Sequence, residues 1–344
     1  MPAGRHGQLV MLRNELLYDA AMGVRVLGPV ALFLRDGAVA VAVPKGKPLA
    51  LLAMLALAAG SEVSVDRLLL GIWGDDATPR HAKTLQVHAS VLRSRLVGTG
   101  LSLVFGKAGY RLETTHDDAI DVVEFERLAN IGLAALAGGR PAQSSSALAD
   151  ALRLWTGPAL ANVLDAPFGP DEADRLENRR WSVLQARLEA DLAMGLGPTV
   201  VDELGALVKV KTFDERACGL LVKALYRSGR GAAALEAIQD LRHRMDEELG
   251  VVIGPELSKL ELQVLQHSDA LLAQPAAKIR DNLPQETSSF VGRADEVLEL
   301  QNALSSSRLC TVTGSGGLGK TRLALRVAQS LVDEYEDGVW LVEL

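Results

Sequence analysis

The chain has 344 residues, enough for two or three domains, and its apolar fraction of 48% can fill packed cores although aromatic residues reach only 4%. A net charge of −7 argues against a protein that coats nucleic acid along its whole length, and two cysteines, Cys218 and Cys310, exclude a disulfide framework or a zinc site. No apolar run approaches a membrane span, and Arg13, Asn14 and Glu15 interrupt the only apolar start, so a cytoplasmic protein with no membrane partner is expected.

Residues 1–23 carry no clear period and read as an arm or an over-extended start, with Met22 as the expected initiator. From Val24 to Phe33 and from Val39 to Val43 the pattern is that of strands around the turn Arg35-Asp36-Gly37. Pro48 to Ala59 is an apolar helix ended by Gly60, and Val65-Asp66-Arg67 opens a second helix that reaches Trp73, expected as a core anchor. A third helix begins at Thr78-Pro79, where Thr78 can cap and Pro79 suits the first turn. Leu85, Ala89, Leu92 and Leu96 form its buried stripe, with His81 and His88 at the stripe's edge and packed rather than catalytic. The opposite face carries Lys83, Gln86, Val87, Ser90 and Ser94, with Arg93 on its shoulder and no carboxylate. Leu101 to Phe105, Gly106-Lys107-Ala108-Gly109 and Tyr110 to Thr114 then read as a basic-tipped hairpin. Between Val24 and Thr114 eleven Lys and Arg stand against six Asp and Glu, a local balance of +5 inside an acidic chain. An acid-free helix followed by such a hairpin predicts the recognition helix and wing of a winged helix-turn-helix spanning 24–115.

Strands, three helices and a hairpin, with Ile72-Trp73-Gly74-Asp75, Thr84-Leu85-Gln86 and Gly109-Tyr110-Arg111-Leu112 within them, resemble an OmpR-type winged helix. More narrowly they resemble the effector domain of the Streptomyces antibiotic regulatory protein (SARP) family. On that reading Lys83, Gln86, Ser90 and Ser94 approach the major groove, with Val87 also among the DNA-binding residues, while Arg80, Arg93, Arg95, Lys107 and Arg111 hold phosphates or the adjacent minor groove. Members of that family commonly carry Arg where this chain has Val91 and Ser94. Fewer phosphate contacts, and hence a shallower salt dependence, are expected here.

From Asp121 the pattern is almost entirely helical, with loops expected at Gly138 to Ser146 and Gly157 to Pro170. Leu188, Leu192, Gly195, Val201, Leu204 and Leu207 recur 34 residues later as Val222, Tyr226, Gly229, Leu235, Ile238 and Leu241, the period of tetratricopeptide helix pairs. Leu154-Trp155-Thr156-Gly157-Pro158, Arg187 to Leu192, Ala224 to Gly229, Glu247 to Gly250 and Gly254 to Leu257 are similar to the bacterial transcriptional activation domain of SARP regulators. The resemblance implies a TPR-like domain over 120–267 that assists dimerisation on promoter DNA repeats and contact with RNA polymerase.

A linker is expected over 268–288. Beyond it, Leu309 to Thr313 reads as a buried strand entering Gly314-Ser315-Gly316-Gly317-Leu318-Gly319-Lys320-Thr321, a complete phosphate-loop signature. Backbone N–H groups there would cradle phosphates, with Lys320 on the β- and γ-phosphates and Thr321 on Mg²⁺. Phe290-Val291-Gly292-Arg293 before it resembles the lead-in of NB-ARC/STAND regulatory NTPases. No strand bearing a Walker B carboxylate follows before Leu344, so 289–344 is read as an incomplete P-loop NTPase unit. ATP or ADP with Mg²⁺ is the ligand it suggests, weakly held, not hydrolysed and not required. The expected fold is thus mostly α: a winged helix-turn-helix, a TPR-like domain and a partial α/β unit. The expected function is SARP-type transcriptional activation; a nucleotide-gated signalling ATPase and a helical-repeat scaffold are the alternatives.

Overall fold

The computed structural model describes residues 23–34, 39–114, 119–272, 283, 293–307, 310–313, 319–332, 335 and 339–342. The expected arm, the turn Arg35-Asp36-Gly37, most of the linker and the loop residues Gly314 to Leu318 lie outside the described residues. The chain forms two compact units, 1–275 and 276–344.

The first unit opens with a three-stranded antiparallel sheet, β1 (Val24–Arg25), β2 (Ala31–Phe33) and β3 (Ala40–Val41). The run from Val24 to Phe33, expected as one strand, is therefore broken from Val26 to Val30. The break has a physical reason, because those residues bond elsewhere. Val26 and Leu27 donate their N–H groups to the Asp121 carboxylate at 2.8–2.9 Å, and the Leu27 carbonyl accepts the Thr156 N–H. Asn162 brackets Val30, its Oδ1 accepting the Val30 N–H at 2.7 Å and its Nδ2 donating to the Val30 carbonyl at 3.0 Å.

Helices α1 (Lys47–Leu57), α2 (Val65–Trp73) and α3 (Pro79–Arg95) follow, with β4 (Val63–Ser64) between the first two. Ser64 caps α2 by accepting the Arg67 N–H at 3.2 Å. Strands β5 (Leu101–Phe105) and β6 (Gly109–Thr114) form the hairpin, and β4 joins it in the order β4-β6-β5. Leu85, Ala89, Leu92 and Leu96, the stripe expected of α3, are all buried.

Helices α4 (Asp121–Ala137), α5 (Pro141–Arg153), α6 (Gly169–Ala193), α7 (Gly197–Val210), α8 (Glu215–Arg227), α9 (Gly231–Arg244) and α10 (Pro255–Leu265) complete the unit with the short α11 (Asp269–Leu272). Gly138 to Ser146 is not a loop throughout, since α5 already begins at Pro141. Proline is accommodated in a first helical turn, and Ser144 is buried where α5 crosses α4 closely at Gly132. Inside the expected linker, α11 buries Leu271, whose carbonyl accepts Arg227 Nε at 2.9 Å. The 34-residue recurrence marks two helix pairs: Gly195 and Gly229 both take positive φ at the turns from α6 to α7 and from α8 to α9. Leu188, Leu192, Val201, Leu204, Val222, Tyr226, Ile238 and Leu241 are buried in one core around them. A second core runs without interruption from Val24 to Ala186 and joins the winged helix to the first helices that follow.

Among the described residues of the second unit are α12 (Ala294–Ser306) and α13 (Lys320–Leu331), and Leu323, Val327 and Leu331 are the buried face of α13. The expected buried strand is not formed among residues 310–313, where Thr311 and Thr313 are exposed; the signature's glycine-rich residues beside it are outside the described set.

Candidate nucleic-acid interface

Helix α3 starts where Pro79 occupies the first turn and the Thr78 N–H donates to His81 Nδ1 at 3.1 Å. His81 stacks on Trp73 with centroids 5.0 Å apart, His88 lies against the same ring at 6.1 Å, and Lys47 Nζ sits 4.7 Å from it. Both histidines are thus packing groups, as expected, and Trp73 anchors α3 to α2. Burial and the nearby Lys47 charge hold His88 below the ordinary histidine value, which favours the neutral ring.

With its buried stripe clamped, α3 turns Arg80, Lys83, Gln86, Val87, Ser90, Arg93, Ser94 and Arg95 to the surface, and all eight are exposed. The face has no carboxylate of its own. Its members are not equivalent, however. Arg93 Nε donates to the Leu103 carbonyl at 3.0 Å and its guanidinium lies 5.9 Å from the Tyr110 ring, which ties it to the hairpin. The Ser94 hydroxyl donates back to the Val91 carbonyl at 2.7 Å. Arg95, next to it, has no such bond to the wing among the described residues and is exposed like the others.

The hairpin is held from outside its own sequence. Glu62 Oε1 accepts the N–H groups of Ala108 and Gly109 at 2.6 and 2.8 Å, and the Ala108 bond holds that carboxyl below the ordinary range. Lys107 stands exposed at the tip. Arg111 is half-buried and donates through Nε to Glu113 at 2.8 Å. Nothing in the local pattern of the hairpin announces Glu62, which lies 46 residues before Ala108.

In the second unit, Gly319 takes positive φ immediately before α13, and Lys320 and Thr321 form its first turn. That is the entry into a helix that the last residues of a phosphate loop make; Gly314, Ser315, Gly316, Gly317 and Leu318 lie outside the described residues. Among the described residues no cluster of His, Cys, Asp and Glu could hold a metal ion, and no helix is long and apolar enough to cross a membrane.

A winged helix with an acid-free outer face, fused through a shared core to paired helices, defines a class: the bacterial transcriptional regulators. A family model for the bacterial transcriptional activator domain matches residues 120–265. Regulatory protein DnrI of Streptomyces peucetius is 34% identical over 254 residues, which cover 71% of this chain and 92% of DnrI. Regulatory protein AfsR of Streptomyces griseus is 34% identical over 337 residues, 94% of this chain but 34% of AfsR, so the chain spans about a third of that relative's length. The solved structure of EmbR from Mycobacterium tuberculosis, in complex with a low-affinity phosphopeptide, superposes with a TM-score of 0.68 at 28% identity and covers 75% of this chain and 70% of its own. The chain belongs to the SARP family of transcriptional regulators.

Proposed function

We propose that the chain is a sequence-specific DNA-binding transcriptional activator that reads promoter repeats with α3 and grips the flanking backbone with the wing. The observation that carries this is the outer face of α3, eight exposed side chains with Arg80, Lys83, Arg93 and Arg95 among them and no acid. Lys83 and Gln86 are the groups best placed for base edges, and Arg80, Arg95 and Lys107 for phosphates. Arg93 and Arg111 act first as supports of the wing, because each is already bonded within the domain. The regions 24–115 and 120–267 are proposed as the DNA-binding and activation domains, joined by 268–288 to a nucleotide-binding segment at 289–344. The family implies RNA polymerase as partner, a homodimer on DNA and a cytoplasmic location. Gly319, Lys320 and Thr321 support a site for ATP or ADP with Mg²⁺, without hydrolysis; Mg-ATP turnover lost in Lys320→Ala would contradict that part.

The test is a salt titration of binding to a duplex selected by the purified chain from a random pool. Lys83→Ala is expected to weaken binding at every salt concentration, and Arg80→Ala to lower the log–log salt slope by about 0.9. Arg93→Ala is expected to lower the stability of the hairpin more than the slope. Equal binding by the parent and Lys83→Ala at every salt concentration would remove α3 as the reader.

A further inference from the structure

Val87 is the outlier on the outer face of α3. At about 100° per residue it lies about 200° round the helix from Leu85, directly opposite the buried stripe, and it is 60% exposed. Its neighbours one turn away are Lys83 at i−4, Ser90 at i+3 and Val91 at i+4, so it stands at the centre of the face rather than at its margin. A β-branched side chain disfavours an exposed helical position slightly, and its χ1 is nearly fixed there, so its two methyl groups are held in one place. The polar groups around it have limited capacity for base edges. Ser94 is bonded to its own helix and Arg93 to the wing, which leaves Lys83, Gln86 and Ser90.

Single exposed apolar residues are ordinary on protein surfaces. What sets this one apart is its place at the point of a major-groove helix that comes nearest the bases. The apolar feature of the major groove is the 5-methyl group of thymine, which no other base displays. We propose that Val87 is a specificity-determining residue that recognises a thymine through its 5-methyl group in double-stranded DNA. This rests on the reading of α3 as the helix that enters the groove. The charged groups then fix affinity and register, while Val87 separates thymine from cytosine on the contacted strand.

The experiment starts from the full chain and from Val87→Ala, each used to select duplexes from a random pool. Alanine is a better helix former than valine and Val87 fills no core, so the variant keeps the fold. The parent's selected site is then resynthesised with each thymine in turn replaced by deoxyuridine, which removes only the methyl group. One replacement is expected to weaken parent binding about fourfold, the worth of one methyl group withdrawn from water, and to leave Val87→Ala unaffected. The selected sites should differ at that same base pair. If every deoxyuridine duplex binds the parent like the thymine original, or if the penalty is the same in Val87→Ala, the inference is overturned while DNA binding stands. If neither protein selects any sequence, the reading of α3 as a DNA reader fails and this inference fails with it.

Discussion

Gly109→Ala is expected to destabilise the winged helix by about 3 kcal/mol and to abolish specific DNA binding, measured by urea denaturation and by titration against a selected duplex. A Cβ at Gly109 would lie 1.8 Å from the Val63 carbonyl oxygen and 2.6 Å from its carbonyl carbon. Gly109 pairs with Ser64, and its neighbour Tyr110 with Val63, in the ladder that fastens the wing to β4. The obstacle is backbone in a paired strand, so neither side can retreat without breaking the three-stranded sheet. Gly106→Ala provides the contrast. Its Cβ would meet the Glu62 carboxylate at 2.2 Å, but that is the far end of a flexible side chain, and a milder loss is expected. Equal stability of Gly109→Ala and the parent would show that the β4–β6 pairing does not hold the wing.

The second large effect is expected at Asp121. Its side chain is 1% exposed and its carboxylate accepts N–H groups from Val26, Leu27 and Val122. Burial pushes its carboxyl up, to about 7, while the bonds from Leu27, Val26 and Val122 and the charge of Arg25 pull it back. Asp121→Ala would strand three buried N–H donors. At about 1–3 kcal/mol for each unsatisfied group, a loss of about 3–5 kcal/mol is expected even after the helix end relaxes. Asp121→Asn retains one acceptor oxygen and should lose less. The place of the damage matters as much as its size. Val26 and Leu27 lie in the connection that follows β1, and Asp121 opens α4, so the variant is expected to uncouple the unfolding of the leading sheet from that of α4. A single, undisplaced transition in Asp121→Ala would mean that the joint does not depend on this carboxylate.

These two residues also separate what was readable in the sequence from what was not. Gly109 could be found, because a glycine between a hairpin turn and Tyr110-Arg111-Leu112 is a local pattern. So could the Thr78-Pro79 entrance, the Leu85-Ala89-Leu92-Leu96 stripe and the 34-residue recurrence, each of which follows from periodicity within one or two elements. Asp121 showed only as a helix-opening acid. Its partners lie 94 and 95 residues earlier, and no local signal pairs them. Separation in sequence likewise hid Asn162, 132 residues from Val30, and Glu62, 46 residues from the wing turn. It also explains the broken first strand, since Val26 to Val30 read as a continuous strand until Asp121 at the start of α4 and the loop residues Thr156 and Asn162, which capture their backbone groups, are in place. Pro141 to Ser146 failed for a different reason. Proline and serine are turn residues by composition, but proline is equally at home in a helix's first turn, and Ser144 is buried by the close approach of α4.

For the candidate interface, exposure followed from the sequence and bonding did not. The period placed Lys83, Gln86, Val87, Ser90 and Ser94 on the outer face, with Arg93 on its shoulder. It could not show that Arg93 reaches back to the Leu103 carbonyl, that Ser94 closes on Val91, or that Arg111 pairs with Glu113. Those three bonds redistribute the candidate site and move the proposed recognition toward Lys83, Gln86, Val87 and Ser90.

The most direct test of that picture is cleavage of a selected duplex by iron–EDTA tethered at Ser90→Cys, with Cys310→Ser to leave one reactive thiol beside the buried Cys218. Ser258→Cys, on the exposed surface of α10, serves as the control. The account predicts strong cleavage from position 90 confined to a few adjacent base pairs on the major-groove side of the selected site, and none from position 258. Equal cleavage from the two positions, or none from position 90 while the duplex is bound, would contradict the assignment of α3 as the element that reads DNA.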